Sequence, residues 1–269
     1  KLGPSSEYLH AYKKLSSRIK SRHVVISHNG DMSTPDGDDW HKNSAGQQFS
    51  SMPAPEEFSS VLDSPMLLGW FASNCHWKGN RSKPAKLYCI PIGIENRYNV
   101  VGGKPEVYFS WMLRRETIKA SKLFFKGFSA GSNKPLRDAA IKALKGAWIT
   151  KIEHSVEKPS TLTRQDFIDL LQQHHFAACP PGHGYDTHRL WEVLMAGAYP
   201  VVISGWMDSM YEGLPILVVR QWTDVTEQLL KDTLQQFQRR QLWNVDKMFF
   251  PYWRELVLNV STNTHTHFV

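Results

Sequence analysis

Arg189 and Glu192 stand three residues apart in Thr187-His-Arg-Leu-Trp-Glu-Val-Leu-Met-Ala-Gly197. That spacing puts both side chains on one side of a helix, close to its start. A guanidinium there can fork onto the oxygens of a diphosphate, and a carboxylate one turn later can accept both hydroxyls of a ribose. Taken alone, the pair is equally compatible with an exposed i,i+3 ion pair. The residues just upstream favour the nucleotide. Pro180-Pro-Gly-His-Gly184 breaks regular structure, and its two glycines, Gly182 and Gly184, can take positive φ or let a ligand approach the backbone. His183 lies between them, and Asp186, Thr187 and His188 cluster where the helix begins. A second loop, Gly127-Phe-Ser-Ala-Gly-Ser-Asn-Lys-Pro135, also leads from an apolar run into a helical pattern. Ser129 and Asn133 can offer hydroxyl and amide groups to phosphate there, and Arg137, one turn into the helix, adds a second guanidinium. The loop does not have P-loop spacing.

These side chains need a rigid frame. Residues 175–179 read as a short buried strand. Thr187 can cap the helix, Leu190, Trp191, Leu194 and Met195 share its apolar face, Gly197 ends it, and 199–203 is a β-branched strand. Strand, glycine loop, helix, strand is a βαβ unit with its loop at a helix N-terminus. The same alternation runs through the second half: strand 122–128, helix 136–144, strand 148–154, helix 164–173, then strand 216–219 and helix 224–239. Such alternation predicts a parallel, doubly wound sheet that binds ligands beyond the carboxyl ends of its strands. The first half offers strands at 23–28, 66–71 and 86–92, with 29–51 as candidate active-site loops. Gly102-Gly-Lys-Pro105 breaks the chain between the halves. The expected organisation is an N-terminal Rossmann-like domain (1–110), a C-terminal nucleotide-binding one (111–260) and a polar tail (261–269).

The segment from Pro181 to Val202, Pro-Gly-His-Gly-Tyr-Asp-Thr-His-Arg-Leu-Trp-Glu-Val-Leu-Met-Ala-Gly-Ala-Tyr-Pro-Val-Val, resembles the donor-binding motif of exostosin-like glycosyltransferases. The similarity continues through Asp208-Ser-Met-Tyr-Glu-Gly-Leu-Pro-Ile-Leu-Val-Val219 and Trp222-Thr-Asp-Val225. Upstream it takes in Ser27-His-Asn-Gly-Asp31, Trp70-Phe-Ala-Ser-Asn74 and Ile90-Pro-Ile-Gly-Ile-Glu-Asn-Arg97, so it covers roughly residues 23 to 228. The resemblance implies a GT-B architecture, two Rossmann-like domains with parallel sheets facing a cleft, and transfer of a sugar from a nucleotide donor to a hydroxyl of a glycan acceptor. It further implies a UDP-sugar as co-substrate, with UDP-xylose the first donor to test, and no obligatory cofactor. If transfer inverts the anomeric centre, Asp31 is the expected general base on the acceptor hydroxyl and His28 its rival, since imidazole titrates near neutral pH; if it retains, no such base is needed. A non-catalytic glycan- or nucleotide-binding protein of the same fold is the alternative.

Composition excludes several other classes. With 41% hydrophobic and 12% aromatic residues over 269 positions, the chain can bury a core. No apolar run has the length of a transmembrane helix. The net charge of +7 is scattered, with no basic helix, so it fits a positive cleft for an anionic donor and argues against nucleic acid as a partner. The twelve histidines show no metal-ligand spacing, and no protein-bound metal is expected. Cys75, Cys89 and Cys179 lack CxxC spacing and read as three buried free thiols, which suits a cytosolic or virus-encoded enzyme. Two sequons, Asn80-Arg-Ser and Asn259-Val-Ser, suit instead a Golgi or endoplasmic-reticulum enzyme whose N-terminal anchor has been removed.

Overall fold

The computed structural model describes residues 5–27, 34–35, 60–76, 84–95, 108, 120–151, 164–240 and 242–262. The chain opens with helix α1 (Ser5–Ser16), which buries Leu9 and Tyr12. No helix is expected there from the sequence. Strands β1 (His23–Ser27), β3 (Leu67–Ala72) and β5 (Leu87–Cys89) form a parallel sheet in that order, while β2 (Thr34–Pro35) and β4 (Cys75–His76) make a short parallel pair beside it.

The second half is a five-stranded sheet. It contains β6 (Lys122–Lys126), β7 (Ile149–Lys151), β8 (His174–Ala178), β9 (Tyr199–Ile203) and β10 (Leu217–Val219). Its spatial order is β10-β9-β8-β6-β7, and every pairing is parallel. Helices α2 (Lys134–Ala143), α3 (Arg164–Gln172), α4 (His188–Ala196), α5 (Asp208–Tyr211) and α6 (Glu227–Arg239) connect or follow these strands. The fold is therefore α/β with parallel sheets in both halves, as the alternating pattern predicts.

Side-chain alternation along the strands explains why both sheet faces are covered. Phe124, Phe176 and Val201 enter one core with Leu144 and Leu230, whereas their neighbours Phe125, Ala177 and Val202 enter another with Leu171, Leu190 and Val193. Helices α2 and α6 thus cover one face, and α3 and α4 the other. This second core also contains Trp70, Leu87 and Cys89 of the small sheet, so the two halves share it.

One expectation is corrected here. Cys75 and Cys89 are not free thiols. They form a disulfide across a Cα–Cα distance of 5.1 Å, and Cys179 is the free cysteine. The spacing of 14 residues carries no disulfide signature; parallel neighbours β3 and β5 bring the two chain segments together. Helix α7 (Phe250–Thr262) runs into the stretch expected to be a tail, and it packs on β1 and β3 of the first half. Among the described residues, no helix is long and apolar enough to cross a membrane.

Candidate functional site

In chain order the strands of the large sheet run first to fifth, yet the first, β6, lies between the second, β7, and the third, β8. The chain thus winds outwards in both directions from the β6/β8 boundary. At such a switch point the loops leaving two adjacent strands diverge and open a crevice. The two loops singled out by the sequence are the ones that leave β6 and β8.

They are bolted together. Asn133 caps α2 by accepting the Leu136 amide at 3.4 Å, and its Nδ2 donates to the Gly182 carbonyl at 2.8 Å. Arg137 donates through Nε to the Pro181 carbonyl and through a terminal nitrogen to the Ser129 carbonyl, both at 2.8 Å. Its remaining terminal nitrogen lies 3.2 Å from where a β-carbon on Gly182 would sit, so a larger residue would push that guanidinium by a few tenths of an ångström. At Gly184 the Asn74 carboxamide occupies the space a β-carbon would need. Neither glycine takes positive φ. What lies close against them are this chain's own side chains, Arg137 at Gly182 and Asn74 at Gly184.

Arg189 enters from the first turn of α4 and lies over the Phe167 ring, 4.9 Å from its centroid. Burial first, and then the charge of Arg189, lower the Arg137 guanidinium to about 10. Two cations therefore lie close together at the carboxyl ends of β6 and β8. Cys179, which ends the β8 segment, feels both arginines and Glu192, yet its own burial pushes the thiol up to about 12. Glu192 is itself buried and accepts the Tyr108 hydroxyl at 3.1 Å.

The remaining predicted residues divide by role. Ser129 and His183 are exposed. Thr187 occupies the N-cap position of α4 in extended conformation, but its side chain makes no capping hydrogen bond; Gly197 closes the helix at φ 87° as expected. Asp186 is turned inwards. Its carboxylate accepts the Trp191 indole at 2.9 and 3.1 Å and the Ile92 amide at 2.6 Å. Burial pushes this carboxyl up to about 7. His188 donates through Nδ1 to the Gly93 carbonyl at 2.7 Å, and its Nε2 lies 3.5 Å from Glu95. His28 and Asp31 lie outside the described residues, just after the end of β1 at Ser27.

Asn74, Ile92, Gly93, Glu95, Tyr108 and Phe167 were not singled out as site residues, although all six touch the candidates. Asn74 and 92–95 sit inside stretches that carry the family resemblance, which was the available signal. Tyr108 and Phe167 carry none. Beside the 180–186 loop a small cleft, with room for little more than water, opens between Cys75, Cys179, Pro181, Tyr185, Trp206 and Tyr211. Among the described residues, no three His, Cys, Asp or Glu side chains gather as metal ligands do.

The chain matches no family model and no curated protein. The functional reading therefore rests on this geometry and on the resemblance of its motifs.

Proposed function

We propose that the protein is a glycosyltransferase that holds a nucleoside diphosphate sugar at the β6/β8 switch point. The single observation carrying this reading is that Arg137, which bridges the two loops at the crevice, and Arg189, in the first turn of α4, are both half-buried and near enough for one charge to act on the other. Neighbouring cations repel each other, so an anion of two charges is the natural occupant. The amides at the start of α4 add positive potential on the same side. Glu192, one turn further along, suits the ribose hydroxyls.

In this reading the two halves are the two domains of a GT-B enzyme, with the acceptor glycan approaching from the N-terminal side. A base in the Asp31 or His28 region takes the proton of the acceptor hydroxyl, whose oxygen attacks the anomeric carbon while the bond to the diphosphate breaks. Arg137 and Arg189 neutralise the departing charge. UDP-xylose is the first donor to test. The Cys75–Cys89 disulfide supports an oxidising compartment such as the Golgi or endoplasmic-reticulum lumen over the cytosol.

Calorimetric titration with UDP tests the site. Arg189→Lys keeps the charge but loses the planar fork, so affinity and sugar transfer should both fall, by about tenfold or more. Unchanged turnover in that variant removes Arg189 from the site. Donor hydrolysis across a panel of nucleotide sugars separates an enzyme from a protein that only binds them.

A further inference from the structure

The loop that carries the candidate anion site belongs to the second half, but the first half holds it in shape. Asn74 is fully buried and sits at φ 49°, in the left-handed region that asparagine tolerates better than most residues. Its Oδ1 accepts the Asp186 amide at 2.8 Å across 112 residues of sequence. Its carboxamide also fills the space beneath Gly184. A second segment grips the same loop one turn along. There the Ile92 amide donates to the Asp186 carboxylate, the Gly93 carbonyl accepts from His188, and Glu95 faces the outer nitrogen of that imidazole.

These two segments are covalently joined. Cys75 follows Asn74 directly, Cys89 leads into Ile92, and the disulfide ties one to the other. Cys89 also lies against the Trp206 carbonyl, 3.8 Å away, at the rim of the aromatic cleft. The staple therefore stands immediately behind both contacts that shape residues 184–188. Binding groups held in place before a ligand arrives lose less freedom when it binds, which raises affinity.

We propose that Asn74 and the Cys75–Cys89 disulfide act together as a positioning device for the 182–188 loop, so that anion affinity in the second half depends on the oxidation state of the first. The dependence on affinity rests on the nucleotide-sugar reading of the site; the shaping of the loop does not. Reduction by a dithiol transfers two electrons and two protons to the Cys75–Cys89 bond, leaving two thiols, while the dithiol closes to its own disulfide. Cys179 lines the same cleft as Cys75 but is a poor internal attacker, because its thiol stays protonated at neutral pH. The bond thus answers to an external reductant.

The test uses the full chain, with UDP and inorganic pyrophosphate as probes, in three forms: parent, Asn74→Gly, and Cys75→Ala combined with Cys89→Ala. Glycine preserves the left-handed backbone and deletes the carboxamide alone. Hydrogen exchange at the amides of Asp186, Thr187 and His188 should quicken in both variants while that of β8 and β9 stays at the parent rate. Affinity for both probes should fall about tenfold, the scale of one lost positioning contact. Dithiol-treated parent should match the cysteine variant. Unchanged exchange at 186–188, or exchange that quickens equally in β8 and β9, overturns the proposal, since the role is then absent or merely structural. If the cysteine variant does not fold, Asn74→Gly alone decides by the same two readouts. If exchange changes as expected but the parent binds neither probe, the positioning role stands and the nucleotide reading falls.

Discussion

Arg137 and Arg189 belong to different helices, α2 and α4, and their environments set different limits. Arg137 spends two of its nitrogens on carbonyls of both loops, so it fixes the crevice as well as charging it. Arg189 rests on an aromatic face, which orients the plane of its guanidinium. Glu192 is the more exacting case, because a buried carboxylate that accepts a tyrosine hydroxyl has a structural use of its own. The two uses separate experimentally. Glu192→Gln keeps the shape and removes the charge; if ribose is its partner, UDP affinity should drop by about 2 kcal/mol, the worth of a charge-assisted hydrogen bond. Tyr108→Phe should leave that affinity near the parent value, and calorimetry on both variants makes the comparison. Equal, unchanged affinities would assign Glu192 to the core contact alone.

Helix α4 is the element on which the site turns. It is nine residues long, starts at the switch point and is buried along Leu190, Trp191, Val193 and Leu194, so its first turn cannot drift relative to the sheet. Its far end depends on Gly197, whose φ of 87° suits a residue without a β-carbon. Gly197→Ala should lower stability by about 1 kcal/mol, since an L-residue in that region is strained. In a chain of this size that is a fall of about 2–4 °C in Tm. Gly205 provides the contrast: it follows β9, lies outside the left-handed region and has open space where a β-carbon would go. Gly205→Ala should melt with the parent in the same thermal scan. Equal shifts in the two variants would mean that loss of glycine, rather than backbone sign, causes the effect.

At the scale of the molecule, Asp186 joins the halves through a carboxylate that burial opposes. Its folded value of about 7 lies above the ordinary 3.8, so between those values the native state keeps a proton that the unfolded chain has released. Its contribution to stability is full below 3.8, declines as pH rises through that window and is gone above about 7. Asp186→Asn has no proton to lose. Relative to this variant, the parent should therefore become less stable with rising pH by on the order of 1 kcal/mol per unit, then level off. Urea unfolding of both proteins between about pH 4 and about pH 8 reads the difference directly. A flat difference would show that Asp186 keeps its ordinary acidity and that the Ile92 and Trp191 donors fully offset its burial.

The order of residues by itself determined the second half in detail. Periods of two and of 3.6 are local, and so are a glycine after a helix and an arginine one turn into it. Strands β6 to β10 and helices α2, α3, α4 and α6 accordingly fall within a few residues of their expected places. The placement of Arg189 and Glu192 on one helix, with the glycine loop before it, was legible for the same reason, since that helix is nine residues long. Tertiary structure alone decided what reaches those residues from afar. The Asn74 contact to Asp186 spans 112 residues, the Ile92 contact 94 and the Tyr108 contact to Glu192 84. No local period encodes such distances; they depend on how one sheet packs on another. The Cys75–Cys89 disulfide escaped for that reason, because parallel pairing of β3 with β5 brings its ends together. So did the inward turn of Asp186, a residue whose type suits a ligand but whose burial among Ile92, Trp191 and Asn74 makes it a tie between halves.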